Sequence, residues 1–265
     1  MAFLDELKKE AAAQKEQEQL QTQSKLASVS QNFLLVQTKY KEIQRYMQEL
    51  VNQLNVLNLD LTRPYYMDGI GQIDDFRPRD YALNIDSIRI GQKDFINAVI
   101  LRFKCVTSRE LIIERNLPAQ IDQQKDYFWH NNVKYQCTEY KNDRGLVTRA
   151  VFHIASELPV TMKFSADFEN AKIFLHMKNF NGLTVTEFTY DADEITGPLL
   201  DEFAKYLLGK PSSFRDLGRH QQAMRELTRQ ARQPKEVLYA GMHRADEDDL
   251  GSKTGLFNRL KSILS

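Results

Sequence analysis

The sequence predicts an α+β protein, and three observations predict it. Apolar residues recur at alternating intervals of three and four near the amino terminus, apolar and polar residues alternate with period two from Tyr81 to Tyr190, and a second helical pattern follows directly. The first pattern is a long helix, the second a set of antiparallel strands with one dry face, and the third a cover for that face. With 265 residues, 42% of them hydrophobic, the chain can bury a sizeable core, and a wholly disordered protein is excluded.

The amino-terminal element carries its register through Leu26, Val29, Phe33, Val36, Tyr40, Ile43, Met47, Leu50, Leu54, Leu57 and Leu61 without a slip. Such a heptad repeat puts an apolar seam along one side of a helix, and its length meets the requirement for a coiled coil. At about 1.5 Å per residue this helix, assigned to residues 1–62, spans roughly 50–60 Å over its periodic part. A rod of that length exceeds what a small domain can cover, so homo-oligomerisation through the seam is the first expectation. The alternative is a helix lying along the sheet of its own chain, which the wider apolar face from Leu34, Leu35, Tyr46, Val51 and Val56 favours. The flanks (Ser30, Gln37, Gln44, Val51 and Asn58 on one side) carry too few charges to select a partner. Residues 8–25, rich in Ala, Gln, Glu and Lys, have helix propensity but no face to bury, and read as a solvated extension.

Pro64 is expected to end the helix, and residues 63–80, with Pro64, Gly69, Gly71 and Pro78, to form a linker. Residues 81–210 form the sheet domain. Val99, Leu101, Phe103 and Cys105 alternate with Arg102 and Lys104; Val133, Tyr135 and Cys137 with Lys134 and Gln136; Ile173, Leu175 and Met177 with Lys172, His176 and Lys178. Turn signals at Asn142–Gly145, Glu157–Pro159, Glu169–Asn170 and Asn179–Gly182 separate the strands by gaps too short for a crossover helix, which predicts a meander of about seven or eight strands. Ile195, Leu199, Leu200, Phe203, Tyr206 and Leu207 recur at helical spacing and close it, with Gly209 and Pro211 as the stop. The arrangement resembles the helix-grip fold in general shape, which implies a ligand cavity between sheet and helix as a second functional reading.

Chemistry leaves little trace. His130, His153 and His176 are evenly spaced by 23 residues, yet His153 and His176 alternate with apolar neighbours and fall on the wet face, which opposes a shared metal. Asp191, Asp193 and Glu194 read as an acidic first helical turn rather than a cation loop. No phosphate loop, nucleophile elbow or activated cysteine motif occurs, so neither a catalytic residue nor a cofactor is expected. Two cysteines, Cys105 and Cys137, exclude a disulfide framework and fit free thiols.

Thirty-six basic residues balance thirty-six acidic ones, so any anion binding must come from a local patch. One candidate is the basic amphipathic helix of residues 211–240, with Arg215, Arg219, Arg225, Arg229 and Arg232. The other lies in residues 241–265, where an acidic spacer, Asp246 to Asp249, precedes a short amphipathic segment. Its apolar stripe, Leu256, Phe257, Leu260, Ile263 and Leu264, is flanked by Arg259 and Lys261 and is suited to a partner groove or an anionic membrane surface; such tails resemble membrane-targeting helices of bacterial cytoskeletal and division-site proteins. No apolar run is long enough to span a bilayer and no secretory leader is expected, so the chain reads as cytoplasmic and at most peripheral to a membrane. The functional expectation is a non-enzymatic oligomeric adaptor. A hydrophobic-ligand carrier comes second, and a nucleic-acid-associated factor using the arginine-rich helix third.

Overall fold

The computed structural model describes residues 2–216, with side chains from Gln14 onward. The segment carrying Arg219, Arg225, Arg229 and Arg232 and the terminal stripe of Leu256 to Leu264 lie outside the described residues, as do the side chains before Gln14. Helix α1 runs over Ala2–Leu57. Strands β1 (Arg63–Met67), β2 (Gly71–Ile90), β3 (Lys93–Val106) and β4 (Leu111–Arg115) follow, then helix α2 (Pro118–His130). After it come β5 (Tyr135–Lys141), β6 (Val147–Ile154), β7 (Glu157–Asp167), β8 (Lys172–Lys178), β9 (Val185–Asp191), a 3-10 turn at Ala192–Glu194, and helix α3 (Gly197–Leu207). A curled six-stranded antiparallel sheet has the order β1-β2-β3-β7-β8-β9, and a three-stranded sheet the order β4-β6-β5.

Period-two alternation decides what the large sheet buries. Val99, Leu101, Phe103 and Cys105 of β3 stand opposite Phe164, Met162, Val160 and Leu158 of β7, and all eight side chains are buried on the concave face. Helix α1 lies across that face. Phe33, Val36, Tyr40, Ile43, Met47, Val51 and Leu54 are buried against it, with Phe33 edge-on to Phe95 at 5.0 Å and tilted over Phe168 at 5.2 Å. The coiled coil is not what this span forms. From Phe33 to Leu54 the chain's own sheet covers the seam, so these residues are unavailable to a second copy. Over the three heptads from Phe33 to Leu54 a 3.5-residue repeat drifts only about 60° from the 3.6 of a straight helix, too little to distinguish a helical partner from a sheet. The ends of the predicted register also depart from it. Leu26 and Leu57 are exposed, Val29 and Leu50 are half-buried, and Leu61 lies beyond the helix. Helix α1 stops before Pro64 because Asn58 turns into the left-handed region (φ 41°), with Arg79 donating to the carbonyls of Asn58 and Leu59.

Two amides on α1 fasten it to the sheet. At the bulge that leaves Asn97 of β3 without a partner, Gln37 donates to Ile96 O at 2.7 Å and accepts from Ile96 N at 2.9 Å, in the way another strand would. At the second bulge, where Asp80 has φ 58°, Asn55 donates to Tyr81 O at 2.8 Å and accepts from Tyr81 N at 3.2 Å. Positions 37 and 55 are five helical turns apart, so both amides leave α1 on the same side. Each satisfies one donor and one acceptor that the broken ladder orphans.

Residues 63–80, expected to be a linker, instead form β1 and the first half of β2. The glycines there shape the hairpin between them, Gly69 and Gly71 taking φ 86° and 90°. The meander is also interrupted. Strands β3 and β7 pair from Val99↔Phe164 to Val106↔Glu157, and everything between them, residues 107–156, leaves the large sheet to build the small one. Thr107 N donates to Ser156 O at 2.9 Å and closes the neck of this insertion. The turn expected at Glu157–Pro159 is thus the start of β7. Helix α2 within the insertion has no counterpart in the sequence reading, because Ile121, Gln124 and Phe128 make only a short stripe. Phe128 packs on Tyr135 and Phe152 of the small sheet.

Helix α3 closes the concave face as its periodicity predicts. Phe203 meets Phe164 at 5.7 Å, and Phe214 sits between Phe203 and Phe188. Arg63 ties β1 to this helix: it donates to Tyr206 O and Leu207 O, the last carbonyls of α3, and lies 3.9 Å above the Phe180 ring. The sheet curls until Tyr66 of β1 forms a parallel bridge with Gly182, just before β9. A Cβ at Gly182 would lie 3.1 Å from the Tyr66 carbonyl, so the near-closure depends on that glycine.

Replacing Gln37 by Leu leaves the N–H and C=O of Ile96 unpaired in a site where the amide is 6% exposed, and is expected to cost about 1–3 kcal/mol in urea unfolding. Asn55→Leu should cost less because that site is wetter. The two losses should add within about 0.5 kcal/mol, the sites being some 27 Å apart along α1.

Candidate functional site

Among the described residues, polar side chains converge on an open cleft between α2 and the β1–β2 turn. Asp68, Arg115, Gln120, Gln123, Gln124 and Tyr127 line a pocket of 540 Å³. Proline at the start of α2 sets the helix direction, and its 3.6 period turns Gln120, Gln123, Gln124 and Tyr127 toward the turn. Arg115 ends β4, and Asp68 precedes Gly69, whose positive φ brings its backbone against the guanidinium. A Cβ there would lie 2.7 Å from Arg115 Nη2.

Arg115 donates through Nη2 to Gln124 Oε1 at 2.8 Å and approaches Asp68 Oδ2 at 3.5 Å. Gln124 is 4% exposed; its carbonyl is committed to Arg115 and its Nε2 has no hydrogen-bond partner among the described residues. Tyr127 donates to Leu183 O at 3.1 Å, and its hydroxyl is held above the ordinary phenol range, first by burial and then by the charge of Asp68. The cleft therefore offers one fixed cation, one carboxylate and three amides, a hydrogen-bonding surface for a polar ligand. No nucleophile stands beside a base in it.

The residues singled out from the sequence do not gather there. Arg215 is exposed, just after Phe214. His130 Nδ1 donates to Asp126 O at 2.7 Å, His153 faces Glu110 at 3.3 Å, and His176 pairs with Glu187 at 3.0 Å, three separate places. Among the described residues no three His, Cys, Asp or Glu groups come close enough to share a metal ion. Asp191 and Glu194 form a reciprocal cap on the 3-10 turn that precedes α3; the first turn of α3 itself, where that acidic run was expected, holds no acidic residue. Sequence reasoning missed Arg115 and Gln124 because they come from elements joined only in space. The one available signal was the glycine at 69, which marks a close backbone approach.

Both cysteines are free thiols. Burial among the aromatic rings of the concave face pushes the Cys105 thiol up to about 12, with Arg63 pulling weakly the other way. The unfolded chain ionises this thiol first. The stability linked to it is therefore complete below about pH 9 and falls as pH rises from there toward 12. Cys105→Ala should flatten the alkaline decline of the urea midpoint relative to the parent chain. Equal slopes for the two proteins would show that Cys105 is not sealed.

Compared with protein-family models, curated proteins and solved structures, the chain matches none.

Proposed function

We propose that this chain is a non-enzymatic adaptor that assembles through its helical arm. The observation that carries the reading is the part of α1 that reaches past the sheet. Residues 14–28 are exposed, with Leu20 and Leu26 in water, and Leu34 and Leu35 continue the exposed leucines onto the outer side of the packed span. With about 1.5 Å per residue the arm before Val29 extends roughly 40 Å. The packed span from Phe33 to Leu54 supplies the nucleus that lets these Ala-, Gln- and Glu-rich turns stay helical. An assembled state would give their leucines a dry contact that the single chain does not.

Homo-oligomerisation, first expected of the whole seam, is thereby confined to this outer stretch. Recruitment by the terminal stripe of Leu256, Phe257, Leu260, Ile263 and Leu264, with Arg259 and Lys261, to a partner or an anionic membrane surface remains part of the proposal and rests on sequence alone. No helix of the described residues is long and apolar enough to cross a membrane. For the carrier reading the concave face has little to offer. Phe33, Phe168, Phe164, Phe203 and Phe214 pack tilted or edge-on where a ligand would lie.

Sedimentation of the full chain should give a mass above that of one copy. A variant with L20E, L26E, L34E and L35E should sediment as a single copy with unchanged far-ultraviolet dichroism. A parent chain that sediments as one copy at every concentration overturns the proposal.

A further inference from the structure

The convex face of the six-stranded sheet carries a row of cations that no carboxylate among the described residues answers. The alternation that buries Leu101, Met162 and Met177 turns Arg102, Thr161 and Lys178 outward, and their pairings Arg102↔Thr161 and Thr161↔Lys178 put them in one row across β3, β7 and β8. Lys163 stands two residues along β7 on the same face, opposite His176. Strand spacing places the Cα atoms of Arg102 and Lys178 about 10 Å apart, with that of Lys163 about 7 Å from that of Thr161. Arg102 donates to Asn84 Oδ1 at 3.2 Å, and Lys178 Nζ donates to the carbonyl of His130. Among the described residues no carboxylate lies within ion-pair distance of Arg102, Lys163 or Lys178. The nearby acids are engaged elsewhere, Glu157 by Lys104 at 3.0 Å and Glu187 by His176 at 3.0 Å. Three cations left together repel one another until an anion joins them.

At the Lys178 end of this row the chain places Trp129, its single tryptophan, 80% exposed. It precedes His130, whose carbonyl Lys178 holds, and Asn179 Nδ2 donates to Asn131 O at 2.8 Å, so the end of α2 is pinned to the end of β8. An indole in water forgoes a large apolar contact. Cations spaced along a sheet with a bare aromatic ring beside them are the two components by which single strands are bound without sequence preference: charges track the phosphates and the ring stacks on a base. An acidic peptide would use the cations and leave the indole idle.

We propose that this face binds a single-stranded polynucleotide, with Arg102, Lys163 and Lys178 on its phosphates and Trp129 stacked on a base. The inference is independent of the adaptor reading and of the arginine-rich residues 215–232.

The test uses the full chain and a short oligothymidylate at low salt. Because Trp129 is the only indole, saturable quenching of its fluorescence reports stacking at this site. Three phosphate contacts predict a log–log salt slope of about −2. The R102Q/K163Q variant, altered only on the wet face and leaving the contact of Lys178 with His130 in place, should melt like the parent and bind a labelled oligonucleotide roughly tenfold more weakly in fluorescence anisotropy. Trp129→Ala should weaken binding roughly tenfold as well. The proposal is overturned by absent quenching, by an R102Q/K163Q variant that binds as tightly as the parent, or by poly-glutamate competing as well as the oligonucleotide.

Discussion

A sheet curled tightly enough to bring β1 against the approach to β9 has a concave face that must be filled, and the rest of the structure depends on how α1 fills it. The buried side chains from Phe33 to Leu54 are large and regularly spaced, each of the kind whose transfer from water contributes about 1.5–3 kcal/mol. Burial alone leaves the helix free to slide along its own axis. Gln37 and Asn55 remove that freedom, because each meets a backbone pair that only a bulge exposes. The bulges in turn bend β2 and β3 around the helix. Curvature, helix position and amide placement are therefore one constraint seen from three sides.

Much of this was legible in the sequence and some of it was not. The strands from Val99 to Cys105 and from Ile173 to Met177 declared themselves through alternation, and α3 through its own stripe, because a one-sided environment imposes a period on whatever lies in it. The identity of the surface facing α1 was not legible, since the seam Phe33–Val36–Tyr40–Ile43–Met47 satisfies a sheet as well as it satisfies another helix. The hairpin of β1 and β2 was hidden by Pro64, Gly69, Gly71 and Pro78, whose loop-like composition here builds a bulged edge strand and a tight turn. Proline is tolerated at an edge. Helix α2 was hidden because only three of its side chains are buried. The cleft beside it joins a strand end, a turn and a helix face, and no local spacing encodes such a meeting.

The arrangement separates tasks by surface. The concave face is committed to holding the fold together, and its buried tyrosines and thiol are explained by that commitment. Among the described residues, the surfaces left over are the outer length of α1, the amide-lined cleft of the insertion and the wet side of the large sheet. Each is built from long polar or isolated apolar side chains.

The order of the chain against the order of its contacts has a consequence during synthesis. Helix α1 is made first, yet the rings that cover Phe33, at positions 95 and 168, come from β3 and from just after β7. At about 5–20 residues per second, a ribosome needs roughly 6–20 seconds to pass from the end of the seam to Phe168. Throughout that interval the nascent polypeptide presents a naked greasy stripe to the cell, which makes it a natural client for factors that shield such surfaces until translation is finished.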